Sequence, residues 1–288
     1  MIRSLVLALL LAVPGAVFSQ ARIQVVATSS DLKALVETVG GGRVEVESLA
    51  APEQDPHGIE LKPAQLARLR RAALIVRVGL DHEPWLSRLS VPGIPVLDAS
   101  KNIRLLQTET PRLRVGRTAH LHAYGNTHYW LDPRNARPLT AAILDALGKL
   151  SPADRALFQA NRESFLQRID AKIETWQNSL APFKGTRVVV MHDSWSYFAE
   201  RFGLQIAAAA EPNPGVPPSP AELAALFKRM RDTGVKILIA DPHSDPALLR
   251  QIAAQGGARP VTLLPSGNDY VELFDENIRR ILMALKDK

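Results

Sequence analysis

The sequence predicts an α/β protein with two doubly wound βα lobes, each built on a central parallel sheet, joined by one long rigid α-helix. Short β-branched runs alternate with helical patterns before residue 100, and the same alternation returns after residue 184. A single helical pattern lies between them. We therefore expect an amino-terminal lobe at 22–150, a linking helix at 151–183 and a carboxyl-terminal lobe at 184–288.

The amino-terminal lobe is predicted from strand and helix signals in chain order. The β-branched run at 23–27 ends in cap-type residues, and a helix follows to Val39, where three glycines stop it. A second helix follows Pro63, and residues 99–127 show little periodicity, which indicates a loop. The expected strands are 23–27, 44–49 and 74–78.

The linking helix is predicted to begin at Ser151 and Pro152, a cap residue and a first-turn proline. A helix of roughly 30 residues would be about 45 Å long, more than one small domain needs, so we interpret it as a strut between lobes. The apolar residues at helical spacing are Leu157, Phe165, Leu166, Ile169, Ile173, Trp176 and Leu180.

The carboxyl-terminal lobe repeats the alternation of strand and helix, with a proline-rich loop at 212–220. Its expected strands are 187–191, 204–209, 236–240 and 260–263. Its expected helices are 195–202, 221–232, 246–255 and a last one that ends at Leu285.

The first residues predict a secretory signal peptide at 1–21, because Arg3 precedes a short apolar run that Pro14 breaks. The chain has no cysteine, which excludes disulfides, thiolate ligands and a lipid-modified cysteine. We expect a soluble periplasmic protein without a lipid anchor. The net charge of +6 is spread along the chain, and no aromatic residues interleave with its densest basic run at 68–71, so we expect no nucleic-acid partner.

Three of the seven histidines lie where parallel sheets gather ligand-binding residues. His57 follows the second strand, His128 precedes a helix, and His192 lies at the carboxyl end of the strand 187–191. Ligands of open α/β sheets bind at that edge, so the three side chains could meet in a cleft between the lobes. Their wide spacing alone also allows each to be a surface or capping histidine.

Several motifs occur in order between residues 23 and 285. The longer ones are DPH at 55–57 followed by Glu60 and Pro63, THYWLDP at 127–133, and HDSWSYFA at 192–199. The shorter ones are Gly79-Leu80 with Glu83 and Trp85, Pro214-Gly215 before Pro218-Ser219-Pro220, and Tyr270 with Asn277. Together they resemble the zinc- and manganese-binding class of periplasmic solute-binding proteins that serve ABC transporters.

The resemblance implies a metal cleft between the lobes with His57, His128 and His192 as ligands. Histidine at the third position goes with zinc in that family, and nitrogen ligands suit Zn²⁺ better than Mn²⁺. The implied function is capture of Zn²⁺ and its delivery to an ABC transporter permease and ATPase. We expect a monomer that is not an enzyme.

One position departs from the family pattern, because Leu264 stands where an aspartate ligand is expected. We predict that His243, which follows a strand at the same sheet edge, replaces that aspartate, with Asp241 behind it. Water or Asp241 itself are the alternatives for the fourth position. Asp269 is expected to cap the last helix.

The remaining histidines carry weaker signals. His120 and His122 resemble a short version of the histidine-rich loop of some family members, although a solvated loop is the simpler interpretation. His82-Glu83 begins like a zinc-protease motif, but Leu86 stands where the second histidine is needed, so His82 is assigned a structural role. Two other functions stay open: a three-histidine zinc hydrolase, and an adhesion or binding protein stabilised by metal.

Overall fold

A computed structural model of the chain describes residues 21–54, 56–86, 89, 91–107, 125–211 and 217–286. Almost all of the predicted signal peptide, together with His120 and His122, lies outside these described residues. In the part of the chain that is described, no helix has the length and apolar character that a membrane span requires.

The first sheet contains four parallel strands in the order β2-β1-β3-β4. Its strands are β1 (Ile23–Ala27), β2 (Val44–Ser48), β3 (Leu74–Arg77) and β4 (Val96–Asp98). Its helices are α1 (Ser30–Gly40), α2 (Pro63–Leu69) and α3 (Ala136–Leu150). The sequence did not predict β4, which has only three residues, none of them fully buried.

The linking helix α4 spans Arg155–Leu180 and packs against α1 and α3 on one side of the molecule. Short 3₁₀ turns at Pro152–Asp154 and Ala181–Phe183 extend it, so the helical segment matches the predicted limits closely. One periodicity prediction is wrong: Leu157 is 44% exposed, and its neighbour Phe158 is buried in its place. Adjacent positions of a helix differ by about 100° in direction, and at this point of α4 the direction of Phe158 faces the core.

The second sheet repeats the first, with four parallel strands in the order β6-β5-β7-β8. Its strands are β5 (Arg187–Val190), β6 (Gln205–Ala209), β7 (Ile237–Ala240) and β8 (Arg259–Thr262). Its helices are α5 (Ser196–Phe202), α6 (Pro220–Thr233), α7 (Pro246–Gly256) and α8 (Tyr270–Lys286). These two parallel sheets confirm the predicted α/β fold class, whereas the domain boundaries stay a prediction.

The helix limits of the second lobe follow from local capping. At the start of α6, the Ser219 hydroxyl accepts a hydrogen bond from the main-chain nitrogen of Glu222, and the Glu222 carboxylate accepts one from the main-chain nitrogen of Ser219. Gly234 ends that helix with a φ of 65°. Asp245 accepts two main-chain N–H groups at the start of α7. Asp269 caps α8 in the same way, as the sequence predicts.

One hydrophobic cluster runs through both halves of the molecule, and each half has a smaller cluster of its own. It contains side chains from the first sheet, from α4 and from the second sheet, among them Val25, Phe165 and Val188. Helix α8 lies against α4, where the Trp176 indole donates to Asp275 Oδ1 at 2.9 Å. The buried face of α4 therefore belongs to the same cluster as side chains of both sheets, and this packing links the two lobes.

Candidate metal centre

Four imidazoles lie together where the strands of both sheets end. The ring of His57 lies 4.1 Å from that of His82, 5.6 Å from that of His128 and 6.1 Å from that of His192, measured between centroids. The His82–His128 and His128–His192 distances are 5.3 and 5.4 Å. One potential ligand atom from each of His57, His82 and His128 lies within 4.8 Å of the other two.

Three of the four histidines reach the cluster from loops that follow strands, and His128 reaches it from the start of a short turn. His57 lies in the 3₁₀ turn Pro56–Gly58 after β2, and His82 lies in the loop after β3. His128 immediately precedes the buried turn Tyr129–Leu131, and His192 follows β5. In both sheets the first and third strands are central neighbours, so the crevice at their carboxyl ends is the expected binding position of this architecture.

Hydrogen bonds at Nδ1 orient the rings of His57 and His128. The Nδ1 atom of His57 lies 3.1 Å from the carbonyl oxygen of His82, and a carbonyl can only accept, so Nδ1 carries the proton. His128 Nδ1 lies 3.1 Å from Asn126 Oδ1. In that tautomer the other nitrogen, Nε2, keeps a lone pair that can bind a metal ion.

Asn126 is itself held in place from the second lobe. Its amide nitrogen donates to the carbonyl oxygen of Asp193 at 2.7 Å and to Gln107 Oε1 at 3.1 Å. Its amide oxygen therefore faces His128, whose main-chain N–H it also accepts at 2.9 Å. The Asp193 carboxylate accepts from Ser196 and Gln107. The main-chain carbonyl of Asp193 thus fixes the amide of Asn126, which in turn orients the ring of His128.

A buried carboxyl group lies in the wall of the same pocket, a residue that the sequence analysis did not single out. Asp31, at the start of α1, is fully buried and accepts a 2.5 Å hydrogen bond from the hydroxyl of Ser266 in the second lobe. Loss of solvent raises the pKa of Asp31 to about 6, although its bonds to Ser266 and Ser29 oppose the shift. Its position after β1, at the central crevice, is the signal that could have identified it.

A second buried carboxylate holds the loop that carries His82. Glu83 accepts hydrogen bonds from Thr28 Oγ1 at 2.5 Å and from the main-chain nitrogens of Val78 and Gly79 at 2.6 and 3.0 Å. Burial raises the pKa of Glu83 to about 7 against the effect of these bonds. The side chain is thus used to fix the main chain of the loop.

The segment around Leu264 brings no carboxylate to the pocket. Its main chain is anchored by Asn277, which accepts from Leu264 N at 2.7 Å and donates to Leu264 O at 2.8 Å. Pro265 and Ser266 line the pocket with the histidines. His243 also lines it, but this side chain is exposed and borders a second groove, which His192 lines as well.

Comparison with known proteins decides the family. The model of the family described as zinc-uptake complex component A, periplasmic, matches residues 25–284. The chain belongs to this family. The sequence-based resemblance is thereby confirmed, and the family description places its members in the periplasm as part of a zinc-uptake complex.

Individual relatives match over most of their length. The high-affinity zinc uptake system protein ZnuA of Yersinia pestis is 26% identical, over 92% of this chain and 88% of its own. The ZnuA protein of Paracoccus denitrificans is 28% identical, over 88% of each chain. A solved zinc-bound deletion mutant of ZnuA superposes with a TM-score of 0.80 at 26% identity, covering 93% of this chain and 99% of its own.

The structure brings the four histidines predicted as ligands to one pocket, lined by His57, His128, His192 and His243. Their role as ligands stays a prediction. The structure also places the ring of His82 beside them, 4.1 Å from that of His57. The sequence assigns His82 a structural role, and its place in the loop after β3 is the signal that could have drawn attention to it.

Proposed function

We propose that this chain captures Zn²⁺ in the periplasm and delivers it to the permease of an ABC transporter, whose ATPase drives import. The observation that carries the proposal is the meeting of imidazoles from both lobes in one pocket, within a chain of the zinc-uptake family. The ion is the cargo of the protein. Its binding site therefore has to form without metal and release the ion again.

The donor atoms favour zinc over manganese. Neutral imidazole nitrogens suit Zn²⁺, whereas Mn²⁺ prefers a site richer in carboxylate oxygen. The relatives from Yersinia pestis and Paracoccus denitrificans are described as zinc uptake proteins. A zinc-bound structure of a ZnuA variant shares the fold at 26% identity. These findings support Zn²⁺ as the cargo and make Mn²⁺ the weaker competitor.

The proposed ligands are His57 and His128 from the first lobe and His192 from the second. Support comes from the bonds at Nδ1 of His57 and His128, which direct the lone pair of Nε2 to the opposite side of each ring. His243 lines the same pocket and is the proposed further ligand from the second lobe. Being exposed, it is placed where an entering ion would first meet the protein.

Delivery requires docking of the two lobes on the permease. We propose that the protein acts as a monomer and that the strand-end face, where the pocket opens between the lobes, is presented to the membrane. A carrier needs no catalytic base beside the ion. The nearby carboxylate of Glu83 is occupied by three hydrogen bonds that fix its own loop, which supports binding rather than hydrolysis.

Calorimetric titration of the metal-stripped protein with Zn²⁺ and Mn²⁺ tests the proposal. Wild type should bind one Zn²⁺ tightly and Mn²⁺ weakly. His57→Ala and His128→Ala should each weaken zinc binding by about 100-fold or more, since loss of a ligand should exceed the effect of losing a supporting group. Melting temperatures of the metal-free variants would verify folding. Wild-type zinc affinity in both variants would refute the ligand assignment.

A further inference from the structure

We propose that His82 is a ligand of the same ion, so that four imidazoles, those of His57, His82, His128 and His192, hold it. This inference rests on the proposed function and adds a residue to the site. It also answers the question that Leu264 raises, because the chain lacks the aspartate expected from the second lobe and supplies an additional nitrogen from the first.

Distance and burial place His82 inside the cluster. Its ring centroid is nearer to those of His57 and His128, at 4.1 and 5.3 Å, than the ring of His192 is, at 6.1 and 5.4 Å. His82 is fully buried. Of the described residues, His57, His82 and His128 form the group whose ligand atoms come close enough together to bind one ion.

The hydrogen bond of His82 leaves the correct nitrogen for a metal. Nδ1 lies 2.8 Å from the hydroxyl of Thr127, and Nε2 is buried on the far side of the ring. When Nδ1 donates to Thr127 Oγ1, Nε2 keeps its lone pair. Metal-bound histidines commonly donate their other nitrogen in this way. Thr127 directly precedes His128, so one short loop orients two of the four rings.

The main chain before His82 adopts an uncommon conformation that positions the side chain. Gly79, Leu80 and Asp81 have φ values of 83°, 56° and 57°, all in the left-handed region, which Leu in particular rarely occupies. The turn is closed by a 3.0 Å bond from His82 N to Gly79 O, and Glu83 anchors it. Backbone strain of this kind persists where the surrounding structure enforces it, and it concentrates at binding sites.

Four imidazoles would make a site of defined chemistry. All donors are neutral nitrogens, a set that suits Zn²⁺, Ni²⁺ and Cu²⁺ and disfavours Mn²⁺ and Mg²⁺. Three of the donors would belong to the first lobe and one, His192, to the second. His243, at the mouth of the pocket, would meet the entering ion before the four imidazoles hold it.

The first measurement counts imidazoles in the zinc-loaded wild-type protein by X-ray absorption at the zinc edge. We expect four. A count of three, with the fourth donor an oxygen, would overturn the proposal. This measurement uses the unaltered chain, so it holds even where a variant folds poorly.

The second measurement is zinc titration of His82→Gln, with Asn161→Ala as the control, because the Asn161 amide bonds the carbonyl of Val39 and does not line the pocket. We expect His82→Gln to weaken zinc binding by about 100-fold or more and to lower the imidazole count by one. Asn161→Ala should leave both values unchanged. Wild-type affinity or an unchanged imidazole count in His82→Gln would overturn the role of His82 while leaving zinc capture intact. Failure of the wild type to bind zinc would instead overturn the proposed function.

Discussion

At the scale of single residues, the buried carboxyl group of Asp31 couples the protein to pH. Its pKa rises from 3.8 to about 6 because folding removes it from water. The folded state therefore holds this proton more tightly than the unfolded chain does. The contribution of the protonated Asp31 to the free energy of unfolding is fully present below about pH 4 and is lost as the pH rises through about 6.

Asp31→Asn should remove this dependence, because an amide of the same shape has no proton to lose. In metal-free protein we expect the variant to be more stable than wild type at pH 8, by up to about 3 kcal/mol, with the difference shrinking towards pH 4. Urea unfolding at several pH values measures it. Asp170→Asn, which changes a carboxyl group that is 55% exposed, is the control. A difference that does not vary with pH would contradict the explanation.

A second residue-scale prediction concerns Asn126, which orients His128 without facing the ion itself. Asn126→Ala removes the acceptor of His128 Nδ1, so the ring loses its fixed direction. We expect zinc affinity to fall by about 10- to 100-fold with all histidines present. Asn161→Ala removes another amide that bonds a main-chain carbonyl, that of Val39, and should leave affinity unchanged. Calorimetry on both variants decides between a positioning role and a packing role.

At the scale of elements, the turn after β3 depends on Gly79. A Cβ atom there would lie 2.2 Å from Asp98 Oδ1, at a residue whose φ is already 83°. We expect Gly79→Ala to destabilise the protein by about 2–4 kcal/mol, combining the left-handed strain with the clash. Gly93 has a similar φ of 79° but open space around it, so Gly93→Ala should lose only about 1 kcal/mol. Equal losses in denaturant unfolding would exclude a contribution from Asp98.

Most elements could be predicted from the sequence because their signals are local. Buried β-branched runs such as Ile237–Ala240 and capped helices such as Pro220–Thr233 agree with the prediction to within about one residue, well inside the usual uncertainty of element limits. The strand Val96–Asp98 could not be predicted, because its pairing with β3 is a tertiary contact and its side chains are partly exposed.

The site was predictable where residues carry a family motif, and His243 was predictable from its place after a strand at the same sheet edge. His57, His128 and His192 lie in such motifs, and the structure places all three in the pocket. The approach of His82 to the other imidazoles depends on the left-handed turn and on Glu83, neither of which a hydrophobic pattern reveals. The burial of Asp31 could not be predicted either, since it arises from contact with Ser266, which lies more than 200 positions away in the chain.

At the scale of the whole molecule, residues 130–132, which precede α3, hold the two lobes together by hydrogen bonds to the second lobe, and we call this set of bonds the clasp. Asp132 receives two hydrogen bonds from the guanidinium of Arg201 on α5, at 2.7 and 2.6 Å. The Trp130 indole donates to Pro265 O, and its own carbonyl accepts from Tyr270. These bonds lie beside the imidazole cluster. They should limit how far the lobes separate when the ion leaves.

Asp132→Asn weakens that clasp, and we expect a loss of about 1–3 kcal/mol, because the pair is bidentate and only 21% and 14% exposed. The Asp170–Arg137 pair is 55% and 57% exposed, so Asp170→Asn should change stability by less than about 1 kcal/mol. Thermal unfolding of the two variants in parallel measures the contrast. Equal effects would show that the clasp contributes no more than a surface pair.

The hydrophobic cluster that passes from the first sheet through α4 into the second sheet also affects how the protein is degraded. Because this cluster contains side chains of both halves, unfolding of one half would expose apolar side chains of the other, and unfolding should be cooperative. Proteases would then meet either the folded protein, which resists cleavage, or the fully unfolded chain, which they degrade. No surviving half would remain to sequester zinc that it cannot pass on.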